Sequence, residues 1–98
     1  MSEEANAERF MAQVERIAAA EPRLTQLQAA LIAACLLDIA HDSRGFARLL
    51  GMAHALVLRD LNALAEMGGF IEITRRDART MRTFYAAAPA AAGLLEAA

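Results

Sequence analysis

Arg75, Arg76, Arg79 and Arg82 crowd one short stretch of this sequence, with only Asp77 opposing them. A guanidinium is a planar fork of N–H donors that meets a phosphate or a base edge through two parallel hydrogen bonds. Four of them together suit the grip of a polyanion. The plainer alternative is a solvated loop in which Asp77 pairs with Arg79, a contact worth about 0–1 kcal/mol. All ten basic residues of the chain are arginine, a bias that composition alone also explains. Arg44 and Arg48 are further candidates for phosphate contacts, with ordinary exposed charge as the alternative. His54 and Arg59 are the side chains near them able to hydrogen-bond a base or phosphate, although Arg59 could equally pair along its own helix.

Other chemistry finds little material. His41 lies near Asp38 and Asp42, but no second cysteine or close histidine completes a metal-ligand set. Cys35 is the only cysteine; it precludes an internal disulfide and sits in an apolar run, where a thiol is usually a small core residue. Serine occurs only at positions 2 and 43, the carboxylates are scattered, and there is no glycine-rich phosphate loop. No enzymatic activity, cofactor or metal is expected.

The chain that must position these residues has 98 amino acids, 57% of them hydrophobic, and a formal charge of −2. That length fits one domain with one modest core. The charge is uneven. Residues 1–40 carry six acids against three arginines, whereas residues 41–85 carry seven arginines against five acids. No apolar run approaches the ~18–20 residues of a membrane span, and the acidic start is unlike a secretory signal. A cytoplasmic protein without membrane association is expected.

Periodicity divides the chain into elements. Phe10, Met11, Val14, Ile17 and Ala18 recur at helical spacing, which predicts a helix over 1–20 that Glu21-Pro22 stops. Thr25 and Gln28 form a capping box that opens a central helix over 25–41, apolar on most faces through Leu27, Leu31, Ile32, Cys35, Leu36 and Ile39. Ser43 caps a short helix, Arg44 to Leu50, with Phe46, Leu49 and Leu50 expected inward. Gly51 ends it, and a longer helix from about Ala53 to Met67 carries Val57, Leu61 and Leu64 inward. After Gly68-Gly69 the period changes to the alternation of a strand, Phe70 to Thr74. Arg75 to Thr80 then form a loop, and Met81 to Ala86 the return strand. Beyond Pro89 the alanine-rich tail is helical.

The expected fold is mostly α with a small β-hairpin: a single winged helix-turn-helix domain over 1–98. Its parts are an extra N-terminal helix (1–20), a central helix (25–41), the helix-turn-helix (43–67), the wing (70–86) and a short C-terminal helix (89–98). In that order of elements the second helix of the pair enters the major groove and the hairpin reaches flanking phosphates or the minor groove.

At these residues the chain resembles the MarR/PadR-like winged-helix regulators. Leu24-Thr25 with Gln28 is similar to their LTxxQ pattern, and Phe46-Ala47-Arg48-Leu49-Leu50-Gly51 to LAxxLG. The run Val57 to Leu64 matches VxRxLxxL, Gly69-Phe70-Ile71 resembles the GLI that enters the wing, and Asp77-Ala78-Arg79 its DxR tip. Phe84-Tyr85 and Pro89 resemble YxLTPxG, with Ala87 and Ala88 in place of Leu-Thr. The resemblance spans Leu24 to Leu95. It implies a small dimeric regulator of transcription that binds double-stranded DNA through Arg44, Arg48, His54, Arg59, Arg75, Arg76, Arg79 and Arg82. It also implies a homodimer formed by the terminal helices, through Phe10, Met11, Val14, Ile17, Leu94 and Leu95.

The recognition helix departs from the family. Ala53, Ala55, Leu56 and Leu58 stand where such regulators carry polar, base-reading residues. Alanine and leucine can touch a thymine methyl and read little else, and exposed leucines more often mark a protein contact. A winged helix that binds a protein partner through Leu56 and Leu58, without sequence-specific DNA binding, therefore stands as the second reading.

Overall fold

The computed structural model describes the backbone of residues 3–97 and the side chains of residues 6–94. The elements follow in the order α1 (Glu3–Ala20), α2 (Gln26–Leu36), α3 (Ser43–Leu50), α4 (His54–Met67), β1 (Ile71–Arg76), β2 (Thr83–Ala87) and α5 (Pro89–Ala97). The fold is mostly helical, with an antiparallel two-stranded hairpin, and it has the winged-helix order.

The core is built around α2. Every residue from Gln28 to Cys35 is buried, because α1, α4 and β2 all pack on this helix. Its one buried polar side chain is fully used. Gln28 Oε1 accepts the Thr25 N–H at 3.0 Å, Thr25 Oγ1 accepts the Gln28 N–H at 3.0 Å, and Gln28 Nε2 donates to the Asp60 carbonyl at 3.3 Å. The expected capping box therefore also fastens α2 to α4. Val57, Leu61 and Leu64 of α4 are fully buried, as their spacing predicts. Each such side chain contributes about 1.5–3 kcal/mol by leaving water. From the hairpin, Tyr85 Oη donates to the Leu31 carbonyl at 2.9 Å, and burial pushes its phenol far above the ordinary tyrosine range.

Four expectations need correction. The central helix ends at Leu36, not His41. Asp38 takes a left-handed backbone (φ 60°), and residues 40–42 run extended beside β2, where the Tyr85 N–H donates to the His41 carbonyl at 2.9 Å and Asp42 bridges Phe84. Leu36, Leu37 and Ile39 continued the helical hydrophobic period, so periodicity carried the helix too far. Second, the cap of α3 is Asp42, whose Oδ2 accepts the Gly45 N–H at 2.8 Å, and not Ser43, which is fully buried. Third, Phe46 is buried, but Leu49 is 51% exposed and Leu50 also faces solvent. Gly51, at φ 64°, ends the helix in the left-handed region as expected. Fourth, the strands begin and end later than expected, so the loop between them is 77–82. The register pairs Ile73 with Tyr85 and Arg75 with Phe84, with a bulge between Ile73 and Arg75.

The side chains assigned to a dimer interface fall differently. Phe10, Val14 and Ile17 are buried within the chain's own core, where α1 meets α2 and α5. Met11 is 52% exposed, and Leu94 is partly buried against the core. The side chain of Leu95 lies outside the described residues. Between α1 and the end of α3 an open groove of about 540 Å³ is lined chiefly by Phe10, Leu37, Ile39, Leu49 and Leu50.

Leu31→Ala is expected to cost about 2–5 kcal/mol, because it opens a cavity in a fully packed helix. Leu49→Ala is expected to stay within about 0.5 kcal/mol of the parent. Urea unfolding of both variants checks the two values.

Candidate nucleic-acid interface

Three elements converge on one hydroxyl. Ser43, the first residue of α3, has no exposed surface. Its Oγ accepts the Thr83 N–H from β2 at 2.9 Å and lies 2.7 Å from Nε2 of His54, the first residue of α4. With a neutral imidazole protonated on Nδ1, the hydroxyl donates to Nε2 while accepting from Thr83, so the hydroxyl, Nε2 and the Thr83 N–H are all paired. The start of α4 and the base of the hairpin are thus locked to α3 through a single side chain.

A second set of contacts fixes the wing. Arg44 donates through Nε and Nη2 to the Thr80 carbonyl, at 3.2 and 2.8 Å, so α3 clamps the hairpin loop. Arg82 pairs with Asp42 at 3.4 Å. Arg75 lies over the Phe84 ring, 4.3 Å from its centroid, a cation–π contact across the hairpin. Asp77 closes the turn. Its Oδ1 accepts the backbone N–H of Arg79 at 3.0 Å, its N–H donates to the Arg82 carbonyl at 2.9 Å, and its carbonyl accepts the Met81 N–H at 2.8 Å. The plainer expectation, an ion pair between Asp77 and Arg79, is replaced by this backbone capping.

The eight arginine and histidine candidates therefore divide. Arg44, Arg82 and His54 hold the wing and the two helices together. Arg75 is stacked, and Arg59 stands 4.0 Å from the Asp60 carboxylate, which Thr25 Oγ1 also contacts. Arg48, Arg76 and Arg79 are exposed, and their guanidinium groups make no ion pair among the described residues. Arg48 lies one turn from Arg44 and so on the same side of α3. On α4, Ala53 provides no side-chain cap, which leaves N–H groups of the first turn open to an anion. Leu56 is 43% exposed, Ala55 is exposed and Leu58 is half-buried.

Sequence reasoning missed the clamp, the serine junction and one further chain of contacts. His41 joins Cys35 Sγ (3.6 Å from Nδ1) to Asp38 Oδ1 (2.5 Å from Nε2). Burial raises the Cys35 thiol above its ordinary pKa, which disfavours the reactive thiolate. Among the described residues no group of three potential ligands could hold a metal ion, and no helix is long and apolar enough to cross a membrane. Comparison of the chain with protein-family models, with curated proteins and with solved structures found no match.

The junction has a pH signature. Burial first, and then the charge of Arg44, hold the His54 pKa below the ordinary histidine range; Asp42 pulls the other way and Arg82 adds to the lowering. The unfolded chain takes up this proton near pH ~6.5, so unfolding binds more protons than folding does. The stabilisation is therefore complete above that pH and is lost as pH falls toward and through the lower folded-state value. A melting temperature that falls from pH 7 to 5, with a shallower fall in His54→Gln, is the expected outcome in thermal unfolding monitored by circular dichroism.

Proposed function

We propose that this chain is a small DNA-binding regulator of winged-helix type, without enzymatic activity, that works in the cytoplasm as the MarR/PadR-like resemblance implies. In this reading α4 enters the major groove with its N-terminus leading, and the hairpin lies along the backbone. The observation that carries it is the division among the arginines. Arg44 and Arg82 rigidify the wing, while Arg48 on α3 and Arg76 and Arg79 on that wing stay exposed with no ion pair among the described residues. The charges of Arg44 and Arg82 are felt at His54, the first residue of the uncapped α4, and positive charge at a helix N-terminus suits phosphate contacts.

The helix surface supports a limited form of recognition. His54 has Nε2 engaged by Ser43, and the exposed positions of the first turn, Ala55 and Leu56, offer only apolar side chains. Affinity then rests mainly on phosphate contacts and on the shape of the duplex, with little direct base readout. The same reading expects a homodimer, whose twofold axis would match paired half-sites. Such a contact has to draw on side chains that the single chain leaves exposed, Met11, Ile39, Leu49 and Leu50, and not on Phe10, Val14 or Ile17. A dimer's mass in sedimentation at micromolar concentration is the expected result.

The exposure of Leu56 favours one alternative, a winged helix that binds a protein through the face containing Leu56 and Leu58. Fluorescence polarisation with labelled duplexes across a salt series separates the two. The double variant Arg76→Ala, Arg79→Ala is expected to bind all duplexes more weakly and to lower the salt slope by about 1.8, at ~0.9 per phosphate contact. No binding to any duplex at low salt, with Leu56→Arg abolishing capture of a protein partner, would give the protein-binding reading instead.

A further inference from the structure

Met81 stands out on the wing. It is 57% exposed, the most exposed of the large apolar side chains among the described residues, and its backbone takes the left-handed conformation at φ 62°. Glycine adopts that region without penalty and methionine does not. A loop tip that held only a turn would be better served by glycine or asparagine.

The surroundings keep this residue fixed. Its N–H donates to the Asp77 carbonyl at 2.8 Å, and its carbonyl accepts from Thr83 Oγ1 at 3.3 Å. The preceding carbonyl, that of Thr80, is held twice by Arg44, and Thr80 Oγ1 accepts the Arg82 N–H at 3.2 Å. Both backbone polar groups of Met81 are thus satisfied while its side chain stands in water. A strained, well-fastened backbone that displays an apolar side chain is the arrangement of a preformed contact, since little ordering remains to be done on binding.

The charge around it identifies the partner. Arg76, Arg79 and Arg82 flank Met81 in sequence, and Arg44 reaches the adjacent residue. The nearby carboxylates are engaged, Asp77 with the turn and Asp42 with Arg82 and the α3 cap. An exposed apolar side chain on a loop that also carries arginines fits a polyanion that has an apolar interior: duplex DNA, whose stacked bases lie between two rows of phosphates. Proteins that bind the minor groove insert Met, Leu, Ile, Phe or Pro between base steps and kink the duplex while arginines hold the backbone.

We propose that Met81 is an apolar wedge that enters the minor groove and partly unstacks a base step, with Arg76 and Arg79 on the flanking phosphates. This rests on the DNA-binding reading and assigns the wing a deforming role in it. Flexible pyrimidine–purine steps are its preferred sites, because they unstack most readily.

The test uses the full chain and short duplexes with 2-aminopurine beside a central TA step. Wild type is expected to raise 2-aminopurine fluorescence on binding and to shorten the end-to-end distance read by energy transfer. Met81→Gly, which relieves the left-handed backbone and so folds at least as stably, is expected to bind about tenfold more weakly. It should keep the wild-type salt slope and lose both the fluorescence rise and the bend. Met81→Leu is expected to retain both. Binding that brings no unstacking and is unchanged in Met81→Gly overturns the wedge alone, and leaves Met81 as an apolar contact for a protein surface. A wild-type chain that binds no duplex at low salt overturns the wedge together with the DNA-binding reading.

Discussion

A buried hydroxyl can both give a proton and accept one, and leaving it without partners is costly. At Ser43 those partners come from two other elements, the β2 backbone at Thr83 and the His54 ring on α4. The requirement sets the position of α4 relative to the hairpin more sharply than apolar packing does. Hydrophobic contact tolerates sliding, whereas a hydrogen bond loses its strength within a few tenths of an ångström and some tens of degrees. The neighbouring contacts are arranged around that junction, with Asp42 capping α3 one residue before it and Arg82 meeting Asp42 one residue before Thr83.

Beneath the junction lies a core of a different kind. Helix α2 is buried on every side, and much of what it buries is alanine. Small side chains let α1, α4 and β2 approach the helix closely, and close approach brings Tyr85 to the Leu31 carbonyl and Gln28 to the Asp60 carbonyl. Beside Leu31 and Ile32 of α2 itself, the larger side chains that fill the remaining space, Ile17, Phe46, Val57, Leu61 and Leu64, come from the surrounding elements. A rigid centre of this sort transmits position, so the hairpin and the two helices of the helix-turn-helix are held by one packed body.

The arginines show how a single residue type serves two purposes on one surface. Arg44 and Arg82 are bound to a carbonyl and to a carboxylate, and Arg75 lies on an aromatic face. Each contact uses a different property of the guanidinium: its fork of donors, its charge or its flat face. Arg48, Arg76 and Arg79 have no such engagement among the described residues. The formal charge of the chain, −2, says nothing of this. An acidic α1 region and a basic wing coexist because they occupy different elements.

Much of the architecture was legible from local patterns. The capping box at Thr25 and Gln28, the left-handed stop at Gly51, the inward row Val57, Leu61 and Leu64, and the change of period after Gly69 each depend on residues a few positions apart, and backbone sterics and burial decide them locally. The stretch from Leu36 to Ser43 was misread for the opposite reason. Its apolar residues kept helical spacing, and only pairing with a strand some forty residues later drew residues 40–42 into an extended path. The same distance hid the roles of the candidate residues. Arg44 and Thr80, and Ser43 and Thr83, meet only once the chain has folded, so which arginines build the wing and which are left exposed was a matter for tertiary structure. The sequence alone determined that a winged helix with an arginine-rich hairpin would form, because helix caps, glycine stops and periodicity act over a single turn. The partners of those arginines are set by contacts across the whole fold, and no local pattern carries them.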